Sequence, residues 1–346
     1  MLLSEFDFPF DPSLIASEPV LPRDQARLLV LDPSHRTLAH RRIDDLPTLL
    51  QTGDLLVVND TKVRSARVLG RKQPSGTVVE VLFVKELADR LWAVLMKGTL
   101  RPGQRIDVGP NAWLIVQSRD ESHMIVRLEG ELTASVLFER YGRMPLPPYI
   151  KRTPTEQDRE WYQTVFAGTE GAIAAPTAGL HFTPRLVDRL AERKIALARV
   201  TLHVGIGTFK PVTVERIEDH RMGGESVEVG GETVEAIART KRAGGKVVAV
   251  GTTVVRALES AAQGGELLPY QGETTLYITP GFSFRVIDAL LTNFHLPKTT
   301  LLMLVSAVAG KEFLREAYKE ALRERYRFYS YGDAMLILAK LNDETV

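Results

Sequence analysis

The residues best suited to chemistry stand in one short turn near the carboxyl end of the sequence. Thr292, Asn293 and His295 lie within four positions of one another. Pro297 marks the turn, and the apolar run 301–305 follows it. Because an unpaired buried polar group costs about 1–3 kcal/mol, polar side chains beside such a run need partners. Ligand sites are built this way, although an Asn that caps its own turn and a satisfied structural His give the same pattern.

Three earlier segments combine hydroxyls and glycines in the same way, and two of them also contain a histidine. Their candidate residues are Thr177 and His181 in the first, His203, Gly205, Gly207 and Thr208 in the second, and Thr252 and Thr253 in the third. The second and third segments follow predicted strands, and ligands of α/β sheets bind at the carboxyl ends of strands. Glycine at such a place lets backbone N–H groups approach a ligand closely.

The junction at residues 251–253 predicts an anion site. A strand there delivers two hydroxyls to the start of a helix, where free N–H groups and partial positive charge favour a carboxylate or a phosphate. Arg256 and Glu259 are three positions apart and share one face of that helix. The spacing fits a ligand site and a salt-bridged surface pair equally well.

The composition excludes several kinds of chemistry. The 346 residues contain no Cys, which removes disulfides, thiolate nucleophiles and Cys-ligated metals. The seven histidines include no His-x-x-x-His pair, so we expect no metal. The pair of glycines at 205 and 207 lacks the third glycine of a dinucleotide-binding loop, and there is no Walker A sequence.

A soluble cytoplasmic monomer with no membrane partner is the expectation. Residues 1–10 carry Glu5 and Asp7 and lack the basic start of a signal peptide. The longest apolar run, 301–309, is far shorter than the ~20 residues of a membrane-spanning helix. The net charge of +1 neither supports nor excludes a nucleic-acid partner.

Two kinds of secondary-structure pattern follow one another along the chain. Strands are predicted at 28–31 and 55–58, with a short helix at 45–50 between them. From residue 62, short β-rich runs at spacings of ~8–12 residues predict a small barrel or sandwich. These runs cover residues 77–84, 91–96, 104–108, 112–117 and 124–128. The proline-rich stretch 141–149 marks the exit from this module.

After residue 153 the pattern becomes α/β. Helices are predicted at 184–193, 231–243, from 253 to 262 and at 312–325, and strands at 195–203, 246–250 and 274–278. The sequence therefore predicts two domains, an α/β core of residues 1–61 and 151–346 with an all-β barrel domain inserted at 62–150. Inserted domains leave and re-enter their host at neighbouring surface points, which fits this plan.

Two segments could contact a nucleic acid. A basic stretch without an acid opens the inserted module, and it consists of Lys62, Arg64, Arg67, Arg71 and Lys72. Phosphate contacts need such clusters, although a solvated face has the same composition. Residues 326–335 combine aromatic side chains with an Arg and an Asp, and exposed aromatics can stack on bases. A carboxyl-terminal strand with satisfied tyrosines fits that segment as well.

Together these segments resemble one family, the S-adenosylmethionine:tRNA ribosyltransferase-isomerases of queuosine biosynthesis. The resemblance runs nearly end to end, through residues 6–7, 14–16, 23–24, 27–29, 53–54, 59–63, 66–67, 175–183, 202–212, 251–260, 280–284, 292–302 and 326–335. One departure is visible. The family commonly has His-x-Met-His-x-Glu where this chain has His220 to Glu225, and Gly223 replaces the second His.

The resemblance implies an α/β core with an inserted β-barrel and an unusual reaction. The ribosyl group of S-adenosylmethionine, rather than its methyl group, moves to the aminomethyl group of 7-aminomethyl-7-deazaguanine at the tRNA wobble position. The products are epoxyqueuosine-tRNA, adenine and methionine. S-adenosylmethionine is thus a co-substrate, and tRNA is the partner.

The reaction also implies roles for the candidate residues. A base must remove the proton beside the sulfonium and an acid must protonate adenine, and His suits both near neutral pH. We assign His181, His203 and His295 to the site, with His295 or His203 transferring the proton. Further predicted contacts to S-adenosylmethionine are Thr177, Gly205, Gly207, Thr208, Thr252, Thr253, Arg256, Glu259, Asn293, Tyr331 and Asp333. Of these, the two threonines at 252–253 and Arg256 would hold the methionine carboxylate, and the basic stretch would grip the anticodon stem.

Two other functions remain open at this point. A non-catalytic RNA-binding protein would use the barrel as its platform and would lack a coherent small-molecule pocket. An ordinary methyltransferase would have a glycine-rich loop after the first strand, where this chain has Asp-Pro-Ser-His at residues 32–35.

Overall fold

The computed structural model describes residues 1–98, 100–119, 123–205 and 212–338. These residues form a mixed nine-stranded sheet with helices on both faces and a closed six-stranded barrel. The predicted fold class, an α/β core with an inserted barrel, is confirmed.

The strands and helices have the following bounds. The strands are β1 (Arg27–Asp32), β2 (Thr37–Arg42), β3 (Leu55–Asn59), β4 (Thr61–Val63), β5 (Arg67–Lys72), β6 (Val78–Ala88), β7 (Leu91–Met96), β8 (Arg105–Gly109), β9 (Ala112–Arg119), β10 (Met124–Gly130), β11 (Thr169–Ala172), β12 (Ala196–Leu202), β13 (Glu225–Val229), β14 (Val247–Val250), β15 (Tyr270–Thr274), β16 (Ala289–Asn293) and β17 (Ala334–Ile337). The helices are α1 (Leu46–Leu49), α2 (Ala134–Tyr141), α3 (Asp158–Trp161), α4 (Pro184–Glu192), α5 (Gly231–Arg242), α6 (Thr252–Ala261), α7 (Thr300–Ala309) and α8 (Lys311–Arg323).

The central strands of the core run in the same direction. The sheet order is β15-β13-β12-β3-β14-β16-β17-β1-β2, and β12, β3, β14 and β16 are mutually parallel. Val57 of β3 pairs with Ala198 on one side and with Ala249 on the other. The carboxyl ends of these four strands therefore meet at one edge of the sheet, where a ligand is expected.

Helices cover both faces of this sheet. The α4 side chains Leu186 and Leu190 pack on one face, and Val254 and Leu258 of α6 pack on the other. Strands that are covered on both faces become continuous apolar runs, which is why β3 and β14 are buried along their whole lengths. No helix among the described residues is long and apolar enough to cross a membrane.

The barrel closes in the order β10-β7-β6-β5-β8-β9 with all pairs antiparallel. Phe83, Trp92 and Phe138 meet edge to face in its interior. The chain enters and leaves it side by side, since a Cβ on Gly142 would lie 1.9 Å from the Ser65 carbonyl oxygen. The predicted domain boundaries at residues 62 and 150 stay a prediction.

Some predicted elements differ from the structure. The predicted strand 274–278 is wrong, because β15 ends at Thr274, whose hydroxyl accepts the Leu276 N–H and turns the chain. The apolar run 301–305 belongs to helix α7, which the Thr299 hydroxyl caps by accepting the Leu302 N–H. The sequence reading also missed β16, although its last residue is the candidate Asn293.

Candidate active site at the carboxyl edge of the sheet

A pocket lies where β3, β12, β14 and β16 end. Five of the predicted ligand-binding residues line it together: Thr177, Thr252, Thr253, Asn293 and His295. The rest of the lining consists of Tyr149, residues 174–176 and 178, Val204, Gly251, Thr292, Phe294, Thr299, Leu301, Tyr329 and Ser330. Segments that are far apart in the sequence thus meet in one cavity, as the strand directions require.

The side chain of Asn59 connects the segments that meet at this edge of the sheet. Its Nδ2 donates to the Leu202 carbonyl oxygen at 2.9 Å and to Thr253 Oγ1 at 3.2 Å. Its Oδ1 accepts the N–H groups of Thr61 and Leu202, each at 3.1 Å. One buried amide therefore ties the ends of β3 and β12 to the start of α6. The sequence analysis did not select Asn59 as a site residue, although an amide directly at a strand end is a usable signal.

Asn293 presents an acceptor without a partner. Its Nδ2 donates to His181 Nε2 at 3.1 Å and to the Tyr329 carbonyl oxygen at 3.0 Å. Its Oδ1 is buried and has no hydrogen-bond partner among the described residues. Since a carbonyl oxygen can only accept, the Nδ2 must face Tyr329, and the amide cannot be turned around. A buried acceptor without a partner lowers the stability of the folded protein unless a ligand supplies a donor.

His181 holds that amide rather than lining the pocket. Burial, with a smaller contribution from the Arg23 and Arg327 charges, lowers the pKa of His181 to about 3. The imidazole is therefore neutral at physiological pH, and its Nε2 can accept from Asn293 when Nδ1 carries the proton. The predicted site residue is thus close to the pocket but acts through its neighbour.

His295 is the histidine that faces the cavity. Its Nε2 lies 3.0 Å from Thr292 Oγ1, and its backbone N–H donates to the Tyr318 hydroxyl at 2.9 Å. Burial lowers the pKa of His295 to about 3. The side chain is consequently neutral at physiological pH.

His203 lies beside the pocket, whose wall contains its neighbour Val204 instead. Its Nδ1 is 2.7 Å from Thr61 Oγ1. Gly171 packs against the ring so closely that a Cβ there would lie 2.6 Å from His203 Cε1. Partial burial, and then the nearby Arg64 charge, lower the pKa of His203. The ring is fixed in place but remains half-exposed.

The start of α6 forms another wall. Gly251 precedes it with φ +97°, a conformation that favours glycine. Thr252 and Thr253 follow and line the pocket. Because the first N–H groups of a helix have no intrahelical acceptor, this wall offers donors and partial positive charge to an anion.

Arg256 and Glu259 do not line the described pocket, and they are not a surface pair. The Arg256 guanidinium forms an ion pair with buried Glu225 and donates to the Leu276 carbonyl oxygen. Glu259 accepts backbone N–H groups from Arg285, Val286 and Ile287 at 2.9–3.3 Å. Helix spacing placed both residues on one face correctly, but that face is buried against other strands and loops.

Glu225 also reaches the loop after β12. Its Oε1 accepts the Gly205 N–H at 2.8 Å. Gly207 and Thr208, which the sequence places in the site, lie outside the described residues. At the position of the departure from the family pattern, a Cβ on Gly223 would meet nothing within 4 Å.

Tyr331 and Asp333 direct their polar atoms into the protein. The Tyr331 hydroxyl donates to Asp158 Oδ1 at 3.0 Å. Asp333 accepts the backbone N–H groups of Arg27 at 3.0 Å and Arg327 at 2.8 Å, and burial raises its pKa. Both residues therefore have internal partners: the partner of Tyr331 lies in α3, and Asp333 is held beside β1 and β17.

An aromatic wall of the pocket was missed in the sequence. The rings of Tyr149 and Tyr329 have centroids 3.8 Å apart, and both line the cavity. Tyr329 adopts φ +70°, which an L-residue rarely does, so the surrounding contacts hold it there. The proline-rich exit of the barrel supplies Tyr149, and nothing in the local pattern links these two segments.

The five residues of the basic stretch differ in their contacts. Lys62 forms an ion pair with Glu170 at 2.9 Å. Arg67 is half-buried, donates to the Leu146 carbonyl oxygen at 2.8 Å and lies 3.3 Å from Glu80. Arg71 is exposed on the outer face of β5. Lys72 follows it, while Arg64 lies near His203. No group of three or more metal-ligating side chains occurs within the described part of the chain.

Comparisons with known proteins agree on one family. The sequence matches a family model described as "Queuosine biosynthesis protein" over residues 3–337. A relative from Pelobacter propionicus, named S-adenosylmethionine:tRNA ribosyltransferase-isomerase, is 50% identical over 343 residues, which cover 97% of this chain and 100% of the relative. A protein of the same name from Aquifex aeolicus is 49% identical over 340 residues, covering 98% and 100%. The crystal structure of S-adenosylmethionine tRNA ribosyltransferase from Thermotoga maritima is similar over 97% of this chain and 100% of that one, with a TM-score of 0.57 and 36% identity.

Proposed function

The chain belongs to the queuosine biosynthesis protein family, and we propose that it is an S-adenosylmethionine:tRNA ribosyltransferase-isomerase whose active site is the pocket at the carboxyl edge of the sheet. It transfers and isomerises the ribosyl group of S-adenosylmethionine onto 7-aminomethyl-7-deazaguanine at the wobble position of tRNA. Adenine and methionine leave. The unpaired, buried Oδ1 of Asn293 is the observation that carries the assignment of the pocket.

S-adenosylmethionine fits the polarity of the pocket walls. Its methionine carboxylate is an anion, and the start of α6 offers N–H donors with the hydroxyls of Thr252 and Thr253. Arg256 is already neutralised by Glu225 and is not needed there. Asn293 Oδ1 accepts an O–H or N–H of the ribosyl donor. The Tyr149–Tyr329 wall provides an apolar face for the adenine ring.

His295 performs the proton transfer inside the pocket. Its imidazole lines the pocket, and Thr292 orients Nε2 for removal of the proton beside the sulfonium. The aminomethyl group of the tRNA base must also lose a proton before it attacks. His203 suits that step, since it is half-exposed beside the pocket and Thr61 engages its Nδ1, leaving Nε2 for the exchange.

The proposal includes the setting of the reaction. The proposed enzyme works in the cytoplasm as a monomer. The core of residues 1–61 and 151–346 carries the proton-transfer residues, and the inserted domain of residues 62–150 contributes Tyr149 to the pocket and contacts the RNA.

The test is incubation with S-adenosylmethionine and an anticodon stem-loop that carries 7-aminomethyl-7-deazaguanine. Release of adenine together with an RNA mass gain of one epoxy-cyclopentanediol unit is the expected result. A methyl-sized gain would mean methyl transfer. Unchanged RNA that still binds the protein would mean a non-catalytic RNA-binding protein.

A further inference from the structure

A second depression, the barrel groove, runs beside the pocket. Leu69, Leu82 and Leu95 on the outer face of the barrel form one side of it. The proline-rich segment 145–148, which leads away from the barrel, forms the other. Leu69 is 43% exposed, and the half-buried Leu82 and Leu95 pair across neighbouring strands beside it. A grouped apolar surface of this kind is typical of an interaction site.

The rim of the barrel groove carries cations that the protein does not neutralise. Lys97, Arg143 and Lys151 are exposed, and none of the three has an ion pair or a side-chain hydrogen bond with a described residue. Glu80 is the one acidic residue among the described lining, and it already pairs with Arg67 at 3.3 Å. The net charge of the rim is therefore positive although that of the whole chain is close to zero.

The groove and the pocket are lined by neighbouring residues of the same two segments. Ile173 lines the groove and the next residue, Ala174, lines the pocket. On the other side, Pro148 lines the groove and Tyr149 lines the pocket. Two segments of the chain therefore contribute consecutive residues to the groove and to the pocket.

An apolar floor with an unpaired cationic rim fits single-stranded nucleic acid. Cations contact phosphates, while apolar side chains contact sugars and the faces of unstacked bases. We propose that the barrel groove binds the nucleotides that flank the modified base in the anticodon loop, with Lys97, Arg143 and Lys151 as its phosphate contacts. The inference rests on the proposed function for the identity of the RNA. It replaces much of the predicted basic stretch, because Lys62 and Arg67 have partners of their own.

The test compares the triple variant Lys97→Ala/Arg143→Ala/Lys151→Ala with a matched control. The control is Arg193→Ala/Arg239→Ala/Arg242→Ala, which removes three exposed cations from the ends of α4 and α5, at the opposite edge of the sheet. We expect the groove variant to raise KM for the stem-loop about 10–100-fold and leave kcat at saturating RNA unchanged. Each lost phosphate contact should reduce the slope of log K against log salt by about 0.7, hence about 2 for three. The control should match the wild type in both.

Direct binding separates this inference from the catalytic proposal. Fluorescence anisotropy with a labelled stem-loop needs no turnover, so the groove can be tested even if no adenine is released. The charge-preserving variant Lys97→Arg/Arg143→Lys/Lys151→Arg should bind as the wild type does and show that charge is responsible. Unchanged affinity and salt slope in the alanine variant would overturn the inference. An equal loss of affinity for an RNA duplex without the loop would overturn it as well, since the contacts would then be to the stem.

Discussion

The pocket and the barrel groove differ in the burial and the partners of their polar side chains. In and behind the pocket the polar side chains are buried and held by internal hydrogen bonds, such as those of Asn59 to Leu202 and of Asn293 to His181. In the groove the cations are exposed and contact no described partner. Changes in the pocket should therefore act on rate or on folding, and changes in the groove on RNA affinity and its dependence on salt.

The largest expected effect is that of His295→Ala. Removing a residue that transfers a proton should lower turnover about 10²–10⁴-fold at saturating substrates. The matched control is His35→Ala, which removes a histidine whose side chain is 78% exposed and which pairs with Asp32 far from the pocket. Steady-state adenine release measures both. Wild-type turnover in His295→Ala would show that the two regions do not divide the work in this way.

The next effect concerns stability. Arg256→Met should destabilise the protein by about 3–5 kcal/mol, because it leaves the Glu225 carboxylate buried without its ion-pair partner. The double variant Glu225→Met/Arg256→Met should recover part of this loss. Chemical denaturation measures the free energy of unfolding. If Arg256→Met kept full stability and lost affinity for S-adenosylmethionine, Arg256 would be a ligand contact, as its spacing first suggested.

The free energy of unfolding should depend on pH through His181, which bonds the pocket residue Asn293. Burial lowers the pKa of His181 to about 3 from 6.5, so between these values the unfolded chain binds a proton that the folded chain does not. This contribution is complete above pH 6.5 and declines as the pH falls, by about 2 kcal/mol at pH 5. The stability gap between the wild type and His181→Gln should narrow accordingly from pH 7 to pH 5. A constant gap would mean that His181 is not buried in its neutral form.

The smallest effect belongs to the basic stretch. Lys62→Ala breaks an exposed ion pair with Glu170, and such pairs contribute about 0–1 kcal/mol. We expect KM for the stem-loop to change less than about threefold. Kinetics at low and at physiological salt measure this. A tenfold rise, similar to that of the groove variant, would extend the RNA surface to the start of the insertion.

Local patterns predicted the fold and much of the pocket. Apolar runs and turn residues are patterns of neighbouring positions, so they can be recognised in the sequence. They predicted the strands at 55–58 and 246–250 and the turn at Gly251. The regular spacing of the short runs after residue 62 predicted the barrel for the same reason. The parallel arrangement then brings Thr177, Thr252, Thr253, Asn293 and His295 together.

Contacts between distant segments could not be predicted. Arg256 pairs with Glu225, 31 positions away, and spacing along one helix contains no information about that partner. The Tyr149–Tyr329 contact joins segments 180 positions apart. Asp333 was a predicted ligand contact, yet its carboxylate accepts two backbone N–H groups. The role of each of these residues depends on a contact that forms only in the folded protein.

The most direct test is a crystal structure of the protein with the stem-loop and S-adenosylhomocysteine, which lacks the sulfonium and cannot react. The account predicts an O–H or N–H of the ligand within about 3.2 Å of Asn293 Oδ1. It also predicts the ligand carboxylate at the start of α6. A ligand bound elsewhere, with Asn293 Oδ1 still unpaired, would contradict the assignment of the pocket.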